Sequence, residues 1–419
     1  MKILQINKFY YKRGGSETHF IDLVELLRRN NHEVNVFSTE NNKNVEAKKN
    51  DYFIDEIEMK LSNFKNGFNI FYNRQAIKAL KEIILNNRPD IVHVHNISHH
   101  FSPAILKVFK KYNIPVIMTV HDYKIVCPNY KLFNSKGICE KCIGGKYYQC
   151  ALNKCIKDSY LASFVMMLES YWAKWKRYYD LIDIFIAPSH FMRNTLISSG
   201  INSKKVVYLP NFLKNNDLSL DDEKINEEKY ILSFGRLSKE KGIDCLIKAF
   251  DNIGDNDTSL KIAGEGPASA ELKELTKKLG LEKKVDFIGY KSEKELRKII
   301  IGAQFVVVPS LWYENAPYTI LESYAFRKAV LGAKTGGISE LIKENETGFT
   351  FEIENYVELA EKIKYLLNNA DKNEAMGETG RFFLRESFNE KKYLKKLLEI
   401  YRKEIQKIRS INENKAKSI

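Results

Sequence analysis

The stretch YILSFGRLSKEKGIDCLIKAF, residues 230–250, passes from a β-branched and aromatic run, through a glycine and a loop holding Arg236 and Lys241, into an amphipathic segment. A short apolar run, a turn and then apolar residues at three- and four-residue spacing make the βα half of a parallel unit. The pattern recurs along most of the chain. Before it stand KILQI (2–6), EVNVFS (33–38), DIVHVHN (90–96), PVIMTVHD (115–122) and IDIFIAPS (182–189), with helical stretches such as SETHFIDLVELLRRN between them. After it stand SLKIAGEG (259–266), VDFIGY (285–290), FVVVPS (305–310) and AVLGAK (329–334). The expected fold is α/β, two doubly wound parallel sheets in tandem.

The 419 residues exceed one ordinary core and fit two domains. After VVYLPNF (206–212) comes LKNNDLSLDDEKINEEK, polar and without periodicity, which reads as a linker. The expected domains are 1–212, with a cysteine-rich insert at 127–155, then 213–388, then a Lys-rich helix and polar tail at 389–419. Tyr393, Leu397, Ile400 and Tyr401 form the apolar stripe of that last helix, which is expected to cross back to the first domain.

A formal charge of +14 favours an anionic partner: a phosphorylated small molecule, a nucleic acid or an acidic membrane surface. Nucleic acid is disfavoured, because no recognised motif is present and the cations are spread over helices. The longest apolar stretch, KIIIGAQFVVVPS, is interrupted by Gly302, Gln304 and Pro309 and falls short of the roughly 20 residues that span a bilayer. The opening MKILQINKFYYKRGG reads as a strand and a turn rather than a signal peptide. A cytoplasmic protein is expected, with peripheral contact to the inner face of the membrane left open.

Open parallel sheets bind ligands outside the carboxyl ends of their strands, so the loops after strands should carry the chemistry. Arg236 and Lys241 open a helix, where backbone N–H groups and side-chain charge both attract an anion; solvated surface cations are the competing reading. Gly264, Gly266 and Pro267 make a tight turn that admits a ligand to the backbone, or merely a turn. In YENAPYTILES (313–323), Asn315 reads as a helix cap and Pro317 as a first-turn residue. Glu314 then stands at the helix mouth and Glu322 about two turns in, roughly 10 Å along the axis. That spacing suits two grips on one extended ligand better than two acids acting on one bond, which stand roughly 5 to 9.5 Å apart. In the first half, Gly14 and Gly15 lie between the first strand and helix. His121 and Asp122 end PVIMTVHD, and DIVHVHN contributes His93 and His95. His121 is the expected catalytic histidine, with His93 and His95 on the acceptor side.

Taken together these segments resemble the retaining glycosyltransferases of family 4, which have the GT-B fold of two Rossmann-like domains facing a cleft. The matching elements are GGSE (14–17), TVHD (119–122), PNF (210–212), FGRLSKEKG (234–242), AGEGP (263–267), GY (289–290), ENAPYTILE (314–322) and TGGISELI (335–342), in the family's order. The resemblance covers about residues 1–385. It implies transfer of a sugar, with retention, from a UDP or GDP sugar to a hydroxyl of a glycan or lipid-linked acceptor in surface polysaccharide synthesis. In that case Arg236 and Lys241 hold the diphosphate and stabilise the departing nucleotide. Glu314 would bind donor-sugar hydroxyls, Glu322 the ribose, and His121 the donor sugar near the reaction centre. Gly15 would let backbone approach the phosphates, and Gly264, Gly266, Asn315 and Ala316 would line the donor. The family needs no metal or other cofactor for catalysis, and the DND at 255–257 precedes a strand and reads as a turn. Two departures are NF where Asn-Gly is usual, and Ala316-Pro317 where Phe or Gly is common. A GT-B sugar-nucleotide 2-epimerase is the alternative, disfavoured by Arg-x4-Lys together with Glu-x7-Glu.

Five of the six cysteines crowd between Cys127 and Cys155. Cys139, Cys142, Cys150 and Cys155 are spaced for a structural tetrahedral zinc site, with Cys127 as substitute and simple thiol burial as the competing reading. In LASFVMMLESYWAKWKRYYDLID (161–183), Phe164, Leu168, Tyr171 or Trp172, Trp175 and Tyr178 share a helical stripe, with Lys174, Lys176 and Arg177 off it. Core packing is the expected use of that stripe, and a membrane interface the alternative.

Overall fold

A computed structural model of the chain describes residues 1–56, 68–214, 229–254 and 257–417. The linker expected after residue 212 falls mostly outside the described residues, as do Asp255 and Asn256 of the DND turn. The chain divides into two compact units. One comprises Met1–Ser135, Cys139–Asn211 and Lys391–Ile419; the other comprises Lys136–Ile138 and Phe212–Glu390.

The first unit is built on β1 (Lys2–Ile6), β2 (Glu33–Thr39), β3 (Tyr52–Ile54), β4 (Ile91–Val94) and β5 (Val116–Thr119). Two short strands, β6 (Phe133–Asn134) and β7 (Gly137–Ile138), form a separate two-stranded sheet, and β8 (Ile184–Ala187) and β9 (Val206–Tyr208) complete the large one. The large sheet is parallel, in the order β3-β2-β1-β4-β5-β8-β9. Ile3 lies between Val34 on one side and Ile91 on the other, so the strand order reverses between β1 and β4. Strands such as IVHV and IFIA are buried at every residue, as both faces of a parallel sheet are covered.

The second unit repeats the plan with β10 (Tyr230–Phe234), β11 (Ser259–Ala263), β12 (Val285–Gly289), β13 (Val306–Val308), β14 (Val330–Ala333) and β15 (Gly348–Phe351). The order is β12-β11-β10-β13-β14-β15, all parallel, with the reversal between β10 and β13. Alternation along each strand feeds two cores. Ile231, Val307 and Leu331 pack on one face with helices 243–251 and 356–368, while Leu232, Val306 and Val330 pack on the other with helix 318–325. Residues such as Ile231 and Leu232, with no exposed surface, each contribute about 1.5 to 3 kcal/mol by that burial.

The last helix, Glu390–Lys417, belongs to the first unit from Lys391 onward. Tyr393, Leu397 and Tyr401 are buried as the stripe requires, and Ile405 extends it, while Ile400 is only half-buried.

Candidate active site

In the second unit the strands on either side of the reversal, β10 and β13, pair at Leu232 and Val306 and send their loops out at the same end. The loop after β10 carries Arg236, makes a single 3₁₀ turn at Lys239–Lys241, and enters helix Ile243–Asp251 through Gly242 in the left-handed conformation, φ +64°. A Cβ on Gly242 would stand 2.0 Å from the Pro309 carbonyl oxygen, so glycine is what lets the two loops meet. The Leu311 amide donates to the Glu240 carbonyl at 2.9 Å and ties them together.

That approach delivers Lys241 to Glu314. The Lys241 ammonium donates to Glu314 Oε1 at 2.5 Å, and Ser310 Oγ donates to the same oxygen at 2.8 Å. Glu314 is only 6% exposed, so its charge is stabilised by these partners rather than by water. Arg236 is exposed, and its guanidinium joins no ion pair or side-chain hydrogen bond among the described residues. The cluster thus presents one uncommitted cation, and a second held in place by a single carboxylate, at the carboxyl ends of the switch-point strands.

The TGG segment holds Glu314 from behind. The Gly337 amide donates to the Glu314 carbonyl at 2.7 Å, and Thr335 Oγ1 donates to the Trp312 carbonyl at 3.2 Å. A Cβ at Gly336 would lie 2.4 Å from the Glu314 carbonyl oxygen and one at Gly337 1.8 Å from that of Asn315. Ser310 and this glycine pair are positioning elements that the residue-by-residue reading missed; the adjacent glycines of TGGISELI were the available signal. Gly264 and Gly266 have a use beyond ligand approach. A Cβ on Gly264, at φ +134°, would strike the Gly235 carbonyl oxygen at 1.9 Å, and one on Gly266 the Leu237 carbonyl oxygen at 2.1 Å. Their turn is packed directly on the Arg236 loop.

The expected helix geometry of ENAPYTILE needs correction. The helix is Tyr318–Ala325, Pro317 occupies the N-cap position in extended conformation, and Asn315 does not cap it. Residues 314–317 are not helical, because a residue before proline is pushed out of the α region, so the helical rise does not measure the distance from Glu314 to Glu322. Asn315 and Ala316 are half-buried in the loop, and Glu322 is half-buried on the helix.

In the first unit Gly14 is the N-cap and Gly15 the exposed first residue of helix Gly15–Arg29. The histidines form one buried network. His121 Nε2 lies 2.9 Å from His95 Nδ1, His95 Nε2 lies 3.0 Å from Gln5 Oε1, and the Gln5 amide donates to the Tyr401 hydroxyl at 3.3 Å. His93 joins Tyr401 at 2.6 Å and Thr119 at 2.8 Å, and His19 joins Tyr393 at 3.1 Å. With the Gln5 amide donating to Tyr401, Oε1 accepts from His95 Nε2–H, which makes His95 Nδ1 the acceptor for His121 Nε2–H. The Nδ1 lone pair of His121 is left as an acceptor. Burial holds His93 and His121 at about 3, and His19 and His95 well below the usual imidazole value, so all four are neutral.

His93 and His95 have no exposed surface, so they support His121 instead of meeting an acceptor themselves. His121 keeps part of its surface open, toward a recess shared with Lys8, Ser98, His99, Asp122 and Lys124. Of the cysteines, Cys142 and Cys150 are buried with Tyr147, Cys155 packs against them, Cys127 is buried and Cys139 is half-exposed. Among the described residues no three His, Cys, Asp or Glu side chains form a group that could hold a metal ion.

Two parallel sheets in this strand order, with cations on the switch-point loops of the second, are the architecture of the GT-B glycosyltransferase fold. The model of glycosyltransferase family 4 matches residues 13–214 and that of the group 1 glycosyl transferases matches residues 216–383; the chain belongs to this family and is a glycosyltransferase. An uncharacterized 42.6 kDa protein in the cps region of Klebsiella pneumoniae is 27% identical over 81% of this chain and 87% of its own length. An uncharacterized glycosyltransferase of Methanocaldococcus jannaschii is 26% identical over 89% of this chain and 93% of its own. The Anabaena protein HepE, solved in complex with UDP, aligns with a TM-score of 0.68 at 17% identity over 96% of this chain and all of that one.

Proposed function

We propose that this glycosyltransferase moves a sugar from a nucleoside diphosphate sugar, a UDP sugar first of all, to a hydroxyl of a glycan or lipid-linked acceptor in surface polysaccharide synthesis, with retention at the anomeric carbon. The observation that carries the reading is the Arg236, Lys241, Ser310 and Glu314 cluster at the ends of β10 and β13. Arg236 and Lys241 bind the diphosphate and stabilise the charge that builds on the leaving nucleotide. Glu314 fixes Lys241 through Oε1 and keeps Oε2 for a donor-sugar hydroxyl, and Glu322 takes the ribose. Gly15 and the Gly264–Gly266 turn provide backbone approach, and His121, neutral, serves as a hydrogen-bond acceptor for a sugar hydroxyl. UDP in the Anabaena neighbour supports the choice of base, and the relative from the cps region of Klebsiella pneumoniae supports the polysaccharide role.

A thermal-shift panel of UDP, GDP and ADP sugars tests the donor, and NMR of the glycosylated product tests retention. Stabilisation by UDP sugars and an anomer unchanged from the donor agree with the proposal. Stabilisation by none of the panel would refute it, and epimerised sugar nucleotide formed without any acceptor would favour the 2-epimerase.

A second feature concerns the acceptor. Helix Tyr160–Trp175 buries Ser163, Met166, Glu169, Ser170 and Ala173. Four of its large apolar residues are exposed instead, Leu161 at 58%, Phe164 at 48%, Leu168 at 41% and Trp175 at 68%. The expected core packing of this stripe is overturned for Phe164, Leu168 and Trp175, and holds for Tyr178. Lys176 lies 3.9 Å over the Trp175 ring and 4.7 Å over that of Trp172, and Lys107, Lys110, Lys111 and Arg177 line the adjoining depression. Apolar residues rimmed by cations suit an anionic lipid surface, where a lipid-linked acceptor would be met. No helix among the described residues is long and apolar enough to cross a membrane.

A further inference from the structure

The recess next to His121 holds a carboxylate that no donor contact uses. Lys8, Ser98, His99, His121, Asp122 and Lys124 line it, all on the loops that follow β1, β4 and β5 of the first unit. Its free volume of about 30 Å³ lets a hydroxyl group enter. Asp122 Oδ1 accepts from the Lys124 amide at 2.9 Å, which closes a tight turn over residues 122–124. The other oxygen, Oδ2, has no partner among the described residues.

Lys124 fixes that turn through its side chain as well. Its ammonium donates to Oε2 of Glu169, on helix Tyr160–Trp175, at 2.7 Å and to the Pro128 carbonyl at 3.2 Å, and the two charged side chains are only 6% and 4% exposed. A buried ion pair is weak support for stability, because apolar residues of similar volume do as well or better. What this one secures is position. With its amide and its ammonium both engaged, Lys124 holds the Asp122 carboxylate at the recess in one orientation.

Lys8 supplies the complementary group. Its amide donates to the Asn96 carbonyl at 3.0 Å, which ties the loop after β1 to the loop after β4. Its half-buried ammonium makes no ion pair and no hydrogen bond among the described residues, and lies 5.6 Å from the centre of the Phe9 ring. Burial pushes the Asp122 carboxyl up, and the Lys8 charge opposes that shift. A recess with a free acceptor oxygen and a free donor suits a group that both gives and takes a hydrogen bond, which is a hydroxyl. A phosphate dianion or a carboxylate has no hydrogen to give and would meet the Asp122 charge.

We propose, on the donor reading given for the second unit, that Asp122 Oδ2 receives the attacking hydroxyl of the acceptor and that Lys8 donates to the same hydroxyl. The hydrogen bond to Oδ2 turns the hydroxyl so that its lone pair is aligned for attack. His121 and Asp122 are consecutive residues, so a donor-sugar hydroxyl held at His121 Nδ1 stands next to the acceptor hydroxyl held at Asp122. The acceptor class at this subsite is thereby a neutral, hydroxyl-bearing one.

Asp122→Asn is the test variant, because Asn keeps the oxygen that the Lys124 amide needs and puts a donor where Oδ2 accepts. The probes are the sugar nucleotide that most stabilises the wild type, with water and octyl glycosides as acceptors. Stabilisation by the sugar nucleotide and donor KM should be unchanged, while transfer to both acceptors slows about a hundredfold. Lys8→Met should raise the KM for octyl glycoside and leave donor KM alone, and it decides the matter should Asp122→Asn not fold. Wild-type transfer rates in Asp122→Asn overturn the proposal, as does a raised donor KM with normal turnover at saturating donor, or an unchanged acceptor KM in Lys8→Met. If no sugar nucleotide stabilises the wild type, the donor reading itself is refuted and the proposal falls with it.

Discussion

Lys241 and Glu314 meet at 2.5 Å although 73 residues separate them in sequence, because each stands on the loop leaving one of the two strands that flank the order reversal of the second sheet. The pair is part-buried, with side-chain exposures of 29% and 8%, and Ser310 shares the carboxylate. An ion pair so placed holds the ammonium in one position before any ligand arrives, which is what a site that stabilises developing charge needs.

Lys241→Ala is expected to lower kcat about a hundredfold or more, the usual effect of removing one preorganised charge donor. Glu314→Gln keeps the shape but frees Lys241, and should raise donor KM as well as lower kcat. The double variant should be little worse than the poorer single one, since the two act as a unit. Steady-state kinetics with the true donor decides; fully additive losses would show that the pair does not work together.

Gly264→Ala is expected to destabilise the protein by more than about 2 kcal/mol, because the new methyl meets the Gly235 carbonyl oxygen in a conformation that is already left-handed. Gly280→Ala is the control: its φ is +69° with nothing within 4 Å, so only the conformational cost of about 1 kcal/mol applies. Urea unfolding compares the two, and equal losses would mean that the loop contact is soft. Nucleotide-sugar binding should fail with the first variant alone.

What could be read from sequence divides along physical lines. Strands buried on both faces announce themselves as continuous apolar runs, so both sheets and the end at which the loops gather were legible. The edge strands β3 and β15 were not, since YFI is three residues long and GFTF begins with a glycine. His93 was misplaced because its role is set by Tyr401, 308 residues away. The stripe on helix 160–175 was visible, but which side faces inward is decided by the Lys124–Glu169 pair and by the small residues around it.

Phe164→Glu and Trp175→Glu should each reduce co-sedimentation with phosphatidylglycerol vesicles about tenfold, while leaving thermal stability within about 0.5 kcal/mol, because both side chains are exposed. Raised salt should weaken wild-type binding by screening Lys107, Lys110, Lys111 and Lys176. Absence of wild-type binding to these vesicles at low salt would remove the membrane from the proposal.

The histidine network predicts how stability falls with acid. His19, His93, His95 and His121 are held neutral in the folded protein but protonate near 6.5 when unfolded. Below that value the unfolded chain binds more protons, so their contribution to stability is complete above about pH 6.5 and is lost as pH falls toward the folded value of about 3. Each histidine costs about 1.4 kcal/mol per pH unit inside that window. Glu17 and Asp122, whose carboxyls burial pushes up, oppose this within the same window, above their unfolded values of 4.5 and 3.8, so the clean comparison is a single replacement. His93→Gln should be less stable at pH 7.5, yet lose about 1 kcal/mol less than wild type between pH 6.5 and 5.5 in urea midpoints. Parallel pH profiles for the two proteins would show that His93 titrates normally and that the network is not closed to protons. Turnover should show no inflection from His121 between pH 5 and 8, since it stays neutral throughout that range.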